Sequence, residues 1–140
     1  MAGNIKLEIV TPEDAVVDEE VKIVMAPGAL GEFGVLPGHT TFLTTLNVGS
    51  IRYVDDSGSE RYVFVSGGFA EALPDKVTIL AESAERRKNI DVSRAQAALD
   101  RAQKRLAEDA AKEEVDFARA KAALNRAMAR LRLAGGSGVA

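Results

Sequence analysis

The chain has 140 residues, of which 46% are hydrophobic and 28% charged, a composition typical of one or two small folded domains with a limited core. No apolar run approaches the length of a membrane-spanning helix, so we expect any membrane association to be indirect. The formal net charge of -3 argues against nucleic acid or anionic lipid as the main partner, and the absence of cysteine excludes disulfides and thiolate chemistry.

The first part of the chain has the alternating hydrophobic pattern of β-strands. Ile5, Leu7 and Ile9 alternate with polar residues, and Val21, Ile23 and Met25 repeat this spacing against Lys22. Further β-branched or aromatic runs cover 41–46, 50–54, 61–65 and 77–80, with turn signals between them at 55–58 and 73–76. Many short strands separated by Gly and Pro predict an all-β sandwich, or flattened barrel, over residues 1–85.

The glycine-rich segment 28–39 contains Glu32 and His39 and predicts a closely packed loop, because its glycines and proline suit positive φ and tight turns. His39 is the only histidine and has no visible triad partner or metal co-ligand, which favours a structural loop. An enzyme using Glu32 or Glu71 beside His39 would need convergent groups in a pocket, and the sequence indicates none.

A second glycine pair, Gly67-Gly68, superficially resembles a phosphate-binding loop. It lacks the Lys-Ser/Thr ending and does not precede a helical pattern, so it predicts a bulge or a strand crossover instead.

After Glu82 the pattern becomes helical, with Asp91 as a good N-cap. Two apolar stripes predict an antiparallel two-helix hairpin over 86–134, followed by a flexible tail at 135–140; the stripes are Val92, Ala95, Leu99, Ala102 and Leu106, and then Phe117, Ala120, Leu124, Ala127 and Leu131. The alanine-rich seam buries little apolar area, so we expect a weakly held hairpin. The connector 108–114 has neither Gly nor Pro, which leaves one extended helix as an alternative and suggests a two-state switch.

The second helix is unusually basic. From Phe117 onward there is no Asp or Glu, whereas Arg119, Lys121, Arg126, Arg130 and Arg132 are all present. At helical spacing, Arg119, Arg126 and Arg130 form a line on the far side of the apolar stripe. A merely solvated helix usually mixes charges, so this one predicts an external anionic ligand or an acidic partner surface.

The whole chain resembles the epsilon subunit family of F-type ATP synthases. The resemblance rests on the glycine-rich loop at 31–39, the motif at 67–71, the strand at 77–81 and the helical stretch at 120–131, which occur together in order over nearly the full length.

The resemblance implies a non-catalytic central-stalk (rotor) subunit at the cytoplasmic face of the bacterial plasma membrane. Its sandwich would bind the gamma subunit and the c-subunit ring, with Glu32 and His39 lying toward the ring. Its hairpin would extend along gamma and place Arg119, Arg126 and Arg130 against an acidic segment of a catalytic beta subunit, which inhibits ATP hydrolysis.

Some members of the family bind ATP on the folded hairpin, which implies ATP as a regulatory ligand rather than a required cofactor. The matching positions in this sequence are Glu85, Ile90, Asp91, Arg94, Ala95, Arg126 and Arg130. An ATP-sensing module is therefore the alternative function. A generic structural adaptor is a further alternative, but it would leave the unbalanced basic helix unexplained.

Overall fold

A computed structural model describes residues 3–108 and 114–135. Its strands are β1 (Ile5–Val10), β2 (Ala15–Gly28), β3 (Gly31–Val35), β4 (Phe42–Asp55), β5 (Glu60–Ala72), β6 (Lys76–Leu80) and β7 (Ala84–Arg86). A short 3-10 helix (Arg87–Asn89) leads into α1 (Val92–Glu108) and α2 (Glu114–Ala134). The predicted fold class, a β-sandwich followed by two helices, is confirmed.

The sandwich is a sheet that closes on itself. The strands pair in the order β1-β6-β5-β4-β2-β3. Because β1 also pairs with β2, the strands from β1 to β2 in this order form a closed ring, and β3 is attached to β2. All pairings are antiparallel except that between β1 and β6. The alternation expected in β1 is confirmed, since Ile5, Leu7 and Ile9 are completely buried in the core.

The long strands β4 and β5 bend together around the core. The runs 41–46 and 50–54, expected as separate strands, belong to the single strand β4, whose register with β5 is continuous from Phe42 to Val54. Within β5, the residues around Val65 pair with β7, whereas those from Phe69 onward pair with β6. The predicted strand crossover lies between these two sections.

Two glycines make this crossover possible. Gly67 and Gly68 have φ values of 105° and 129°, which other residues rarely adopt. A Cβ atom at Gly68 would also collide with the carbonyl oxygen of Leu80. The pair is therefore required by the sheet geometry and is not a phosphate loop.

The prediction of a loop throughout 28–39 was wrong, because Gly28 ends β2 and residues 31–35 form β3, which pairs with β2. Sheet pairing overrides the low strand propensity of glycine at positions where a side chain would not fit. A Cβ atom at Gly28 would lie 2.9 Å from the ring of Phe33, and one at Gly34 would lie 2.7 Å from Met25 Sδ.

The change of pattern after Glu82 does not mark the start of a helix, because β7 and the 3-10 helix come first and α1 begins only after the predicted N-cap Asp91. Arg86 is tied to the sandwich by its side chain, which donates hydrogen bonds to the carbonyl oxygen of Val16 at 3.1 Å and to the Tyr53 hydroxyl at 3.2 Å. These contacts hold the chain on the sheet beyond residue 85.

The two helices form an antiparallel hairpin, since Arg130 near the end of α2 lies with Arg94 and Ala95 at the start of α1. The seam is rich in alanine as expected: Ala95, Ala102, Ala120 and Ala127 are all buried. Val92 and Phe117, the first members of the two predicted stripes, are 53% and 43% exposed. Residues 109–113 of the connector and 136–140 of the tail lie outside the described residues, so the expectations about them remain predictions.

Candidate functional site

The last turns of α2 pack on the outer face of β4 and β5. We call this contact the docking patch, and it consists of buried Tyr62, Phe64, Ile90 and Leu133 with half-buried Val48, Ala129 and Ala134. Leu133 is only 4% exposed. The seam pattern did not single it out, because it faces the sandwich rather than α1. The hairpin is thus held by a small apolar cluster separate from the main core.

An ion pair lies beside the docking patch. Arg130 Nε donates a hydrogen bond of 2.6 Å to Glu85 Oε2 on β7, and the guanidinium group lies 4.4 Å from the centroid of the Phe64 ring. The side chains of Arg130 and Glu85 are 24% and 32% exposed, so water screens the pair only in part. The expectation that the basic line of α2 has only external anions was therefore wrong for Arg130, which has an internal carboxylate.

A cleft of about 630 Å³ opens next to this ion pair. We call it the junction cleft, because it lies between the β1–β2 turn, the segment 82–85, the start of α1 and the end of α2. Its lining includes Thr11, Glu13, Asp14, Val16, Glu82, Ser83, Ala84, Glu85, Asn89, Asp91, Arg94, Ala95, Ala98, Arg101 and Arg130. Sandwich and both helices all contribute, so the cleft exists in this shape only while the hairpin is docked.

Most of the predicted ATP contacts converge on the junction cleft. Glu85, Asp91, Arg94, Ala95 and Arg130 line it, whereas Ile90 is buried in the docking patch. Arg126 is half-buried on α2, one turn before Arg130, and is not among the described residues of the lining. Asp91 is the N-cap of α1, as predicted, because its Oδ1 accepts the Arg94 backbone N–H at 3.0 Å.

The charges of the cleft are mixed. The lining combines the acidic residues Glu13, Asp14, Glu82, Glu85 and Asp91 with the basic residues Arg94, Arg101 and Arg130. Sequence reasoning missed the acidic contribution of the β1–β2 turn, because this turn is distant from the hairpin along the chain and only the fold brings it close. A polyanion in this cleft would be attracted by its arginines and repelled by its acidic wall.

The predicted ring-facing residues lie on β3 and in the segment between β3 and β4. Glu32 on β3 is exposed, while His39 is half-buried with its Nδ1 atom 2.7 Å from the carbonyl oxygen of Thr40. The imidazole packs edge-on against Phe42, with ring centroids 5.2 Å apart. His39 thus has local contacts that position it, and Glu32 is free to meet solvent or a partner.

A further surface was not predicted from the sequence. Leu43, Phe69 and Leu80 on β4, β5 and β6 share one outward face of the sheet and are 70%, 53% and 53% exposed. We call this surface the outer apolar face. Large exposed apolar groups that share one face of a sheet mark an interaction site. In the sequence, this surface is indicated by an apolar residue in each strand at a position where the alternation predicts an outward-facing polar residue.

The described residues show no group of three or more His, Asp or Glu side chains suited to a metal ion. Within the same residues, neither helix is long and apolar enough to cross a membrane.

Comparison with known proteins agrees with this architecture. The family model for the ATP synthase Delta/Epsilon chain beta-sandwich domain matches residues 4–87, and that for the Delta/Epsilon chain long alpha-helix domain matches residues 88–135. The chain therefore belongs to the ATP synthase delta/epsilon chain family.

Curated relatives named ATP synthase epsilon chain are closely similar in sequence. The one from Desulforapulum autotrophicum is 66% identical over 108 residues, which cover 77% of this chain and 80% of the relative. The one from Carboxydothermus hydrogenoformans is 50% identical over 107 residues, which cover 76% of this chain and 79% of the relative.

Solved structures of mitochondrial ATP synthases contain chains with the same fold. A chain of the Euglena gracilis assembly of OSCP, F1 and c-ring superposes with a TM-score of 0.76 at 24% identity, covering 89% of this chain and 78% of that one. A chain of the Tetrahymena thermophila central stalk and c-ring superposes with a TM-score of 0.61 at 11% identity, covering 95% of this chain and 98% of that one.

Proposed function

We propose that this chain is a non-catalytic rotor subunit of a bacterial proton-translocating ATP synthase, working at the cytoplasmic face of the plasma membrane. Its sandwich would join the gamma subunit to the c-subunit ring, and its helices would restrain ATP hydrolysis. The observation that carries this proposal is the small, separate contact between hairpin and sandwich. A hairpin attached through one apolar patch and one ion pair can leave without unfolding the sandwich.

The outer apolar face supports a permanent partner for the sandwich, and we assign it to gamma. Replacing Leu43 or Phe69 by Asp would place a charge in this interface and should prevent copurification with gamma. Lys22→Asp, at another exposed position, is the matched control. Retained gamma binding in both apolar variants would contradict the assignment.

The resemblance implies contact of Glu32 and His39 with the c ring, and the exposure of Glu32 on β3 supports it. Glu32→Lys should lower the amount of chain that remains with a purified c ring, while leaving gamma binding unchanged. Equal retention of the variant on the ring would remove Glu32 from this interface.

The basic line on α2 supports contact with an acidic segment of beta in an extended state. Arg119 is already exposed, whereas Arg130 becomes available only when it leaves Glu85. When the hairpin undocks, Arg130 therefore exchanges the carboxylate of Glu85 for a carboxylate of the beta subunit. This exchange lowers the net electrostatic cost of extension.

The decisive experiment is ATP hydrolysis by an assembly of alpha, beta and gamma, measured with increasing amounts of the full chain or of a chain truncated after Asn89. Truncation after Glu85 would remove Arg86 and its hydrogen bonds to Val16 and Tyr53, so the later cut is preferable. Inhibition by the full chain alone supports the proposal. Equal inhibition by both chains contradicts the role of the helices, and failure of both to bind contradicts the rotor assignment.

The junction cleft favours ATP sensing as a second candidate function. A ligand held there by Arg94 and Arg101 would stabilise the docked hairpin, because only the docked form has the complete cleft. Isothermal titration of ATP into the isolated chain tests this, with Arg94→Ala and Arg101→Ala expected to lose affinity and Glu82→Gln expected to gain it. Absence of binding at cellular ATP concentrations would contradict this function.

A further inference from the structure

Ser50 occupies an unusual position beneath the docked hairpin. Among the described residues, its hydroxyl oxygen is the one buried side-chain polar atom that has no hydrogen-bond partner. Ser50 lies on β4 directly opposite Phe64 of β5 and two residues after Val48. Cross-strand partners and alternate residues share a face of a sheet, so Ser50 faces the docking patch.

The surroundings of Ser50 would suit an apolar residue better than a serine. Val48 and Phe64, its neighbours on this face, both belong to the docking patch that receives Leu133 and Ala129 of α2. A hydroxyl group enclosed without a partner costs free energy relative to the same group in water. Once α2 leaves this face, water can reach the hydroxyl and the cost disappears. The penalty therefore acts on the docked form alone.

We propose that Ser50 weakens hairpin docking and so keeps the docked and undocked forms close in free energy. It opposes the Glu85–Arg130 ion pair and the burial of Leu133, which both favour docking. The regulatory meaning of this balance rests on the proposed function, whereas the effect of Ser50 on docking does not. A two-state element responds to a ligand or partner only when neither state dominates strongly.

The chain has no cysteine, so a single introduced thiol can report on docking. In an Ala129→Cys background the thiol lies in the docking patch, and its rate of reaction with a thiol reagent follows the fraction of open molecules. Ser50→Ala should slow this labelling by about fivefold to a hundredfold, the range that corresponds to an unsatisfied buried hydroxyl. An unchanged or faster rate would overturn the inference.

Ser66→Ala is the matched control in the same background. Ser66 lies on the same face of β5, but its hydroxyl donates to the Ser83 carbonyl oxygen and accepts the Ser83 backbone N–H at 3.0 Å. Its removal takes away satisfied hydrogen bonds, so labelling should not slow. Equal slowing by both substitutions would show a general effect of alanine and would also overturn the inference.

Failure of the proposed function has a different signature. If Ser50→Ala slows thiol labelling of the isolated chain, the inference stands even when truncation after Asn89 leaves hydrolysis by the assembled complex unchanged. That combination would refute the proposed inhibition while retaining the role of Ser50 in docking.

Discussion

Replacing one or the other partner of the ion pair that holds the hairpin should have different effects on ATP hydrolysis. Glu85→Gln removes the anion that holds Arg130 but leaves the cation intact. The pair is partly exposed, so its loss costs the docked form about 1 kcal/mol, or roughly a fivefold shift toward the undocked form. Because Arg130 is then free for an acidic partner, the Glu85→Gln chain should inhibit hydrolysis at lower concentrations than the original chain.

Arg130→Gln weakens docking by more, because the contact with the Phe64 ring, worth about another 0.5–1 kcal/mol, is lost as well. However, it also removes a cation proposed to contact beta. Inhibition should therefore fall or stay the same, although the hairpin opens more easily. The concentration for half-maximal inhibition of the alpha, beta and gamma assembly measures both effects.

Glu20→Gln is the control for this pair of variants, because Glu20 is an exposed carboxylate on β2 that is not among the described residues lining the junction cleft. It should inhibit as the original chain does. If Glu85→Gln and Arg130→Gln change inhibition in the same direction and to the same extent, Arg130 does not exchange one carboxylate for another, and the reasoning is refuted.

Three further predictions concern packing and stability. Leu133→Ala should weaken docking by about 2 kcal/mol, seen as faster thiol labelling in the Ala129→Cys background, with exposed Arg132→Ala as control. Gly68→Ala should lower the free energy of unfolding of the sandwich by at least about 2 kcal/mol in urea, because Gly68 combines a positive φ with a backbone collision for any Cβ atom. Gly58→Ala is the control: Gly58 has a positive φ without the collision, so the substitution should cost less. The Ser57 hydroxyl, the Ser59 N–H and Arg61 hold the pKa of the Asp55 carboxyl well below its ordinary 3.8, so Asp55 stabilises the fold above about pH 4 and loses this effect as the pH falls. Asp55→Asn should consequently be less stable at pH 7 and show a flatter loss of stability on acidification; equal acid sensitivity in both chains would contradict this.

Local pattern predicted the features that depend on neighbours along the chain. The alternation in β1, the alanine seam and the Asp91 cap each depend on spacing within one element. The glycine-rich segment defeated the same reasoning, because Gly28 and Gly34 lie in paired strands, and a Cβ atom at Gly28 would lie 2.7 Å from the backbone oxygen of Gly31. Glycine can indicate either a turn or a crowded strand, and only the neighbouring strand decides which.

The candidate site was only partly predictable because its members come from distant segments. Arg94, Asp91 and Glu85 were expected at one place, and they do line the junction cleft. The acidic wall of Glu13 and Asp14 was not expected, since nothing near these residues in the sequence indicates that their turn faces α1. The same limit applies to Ser50, whose hydroxyl has an ordinary strand position until α2 covers it.

The internal partner of Arg130 changes the interpretation of the basic helix. From Phe117 onward the sequence has cations without acids, which predicted an external anion for them. The structure divides them: Arg119 and Arg132 are exposed, while Arg130 is held by Glu85 beside the docking patch. A cation that must be released before it can bind elsewhere links contact with beta to the opening of the hairpin. Because Arg130 must leave Glu85 first, the stability of the docked hairpin would determine the strength of inhibition. Ser50 would act on inhibition through that stability.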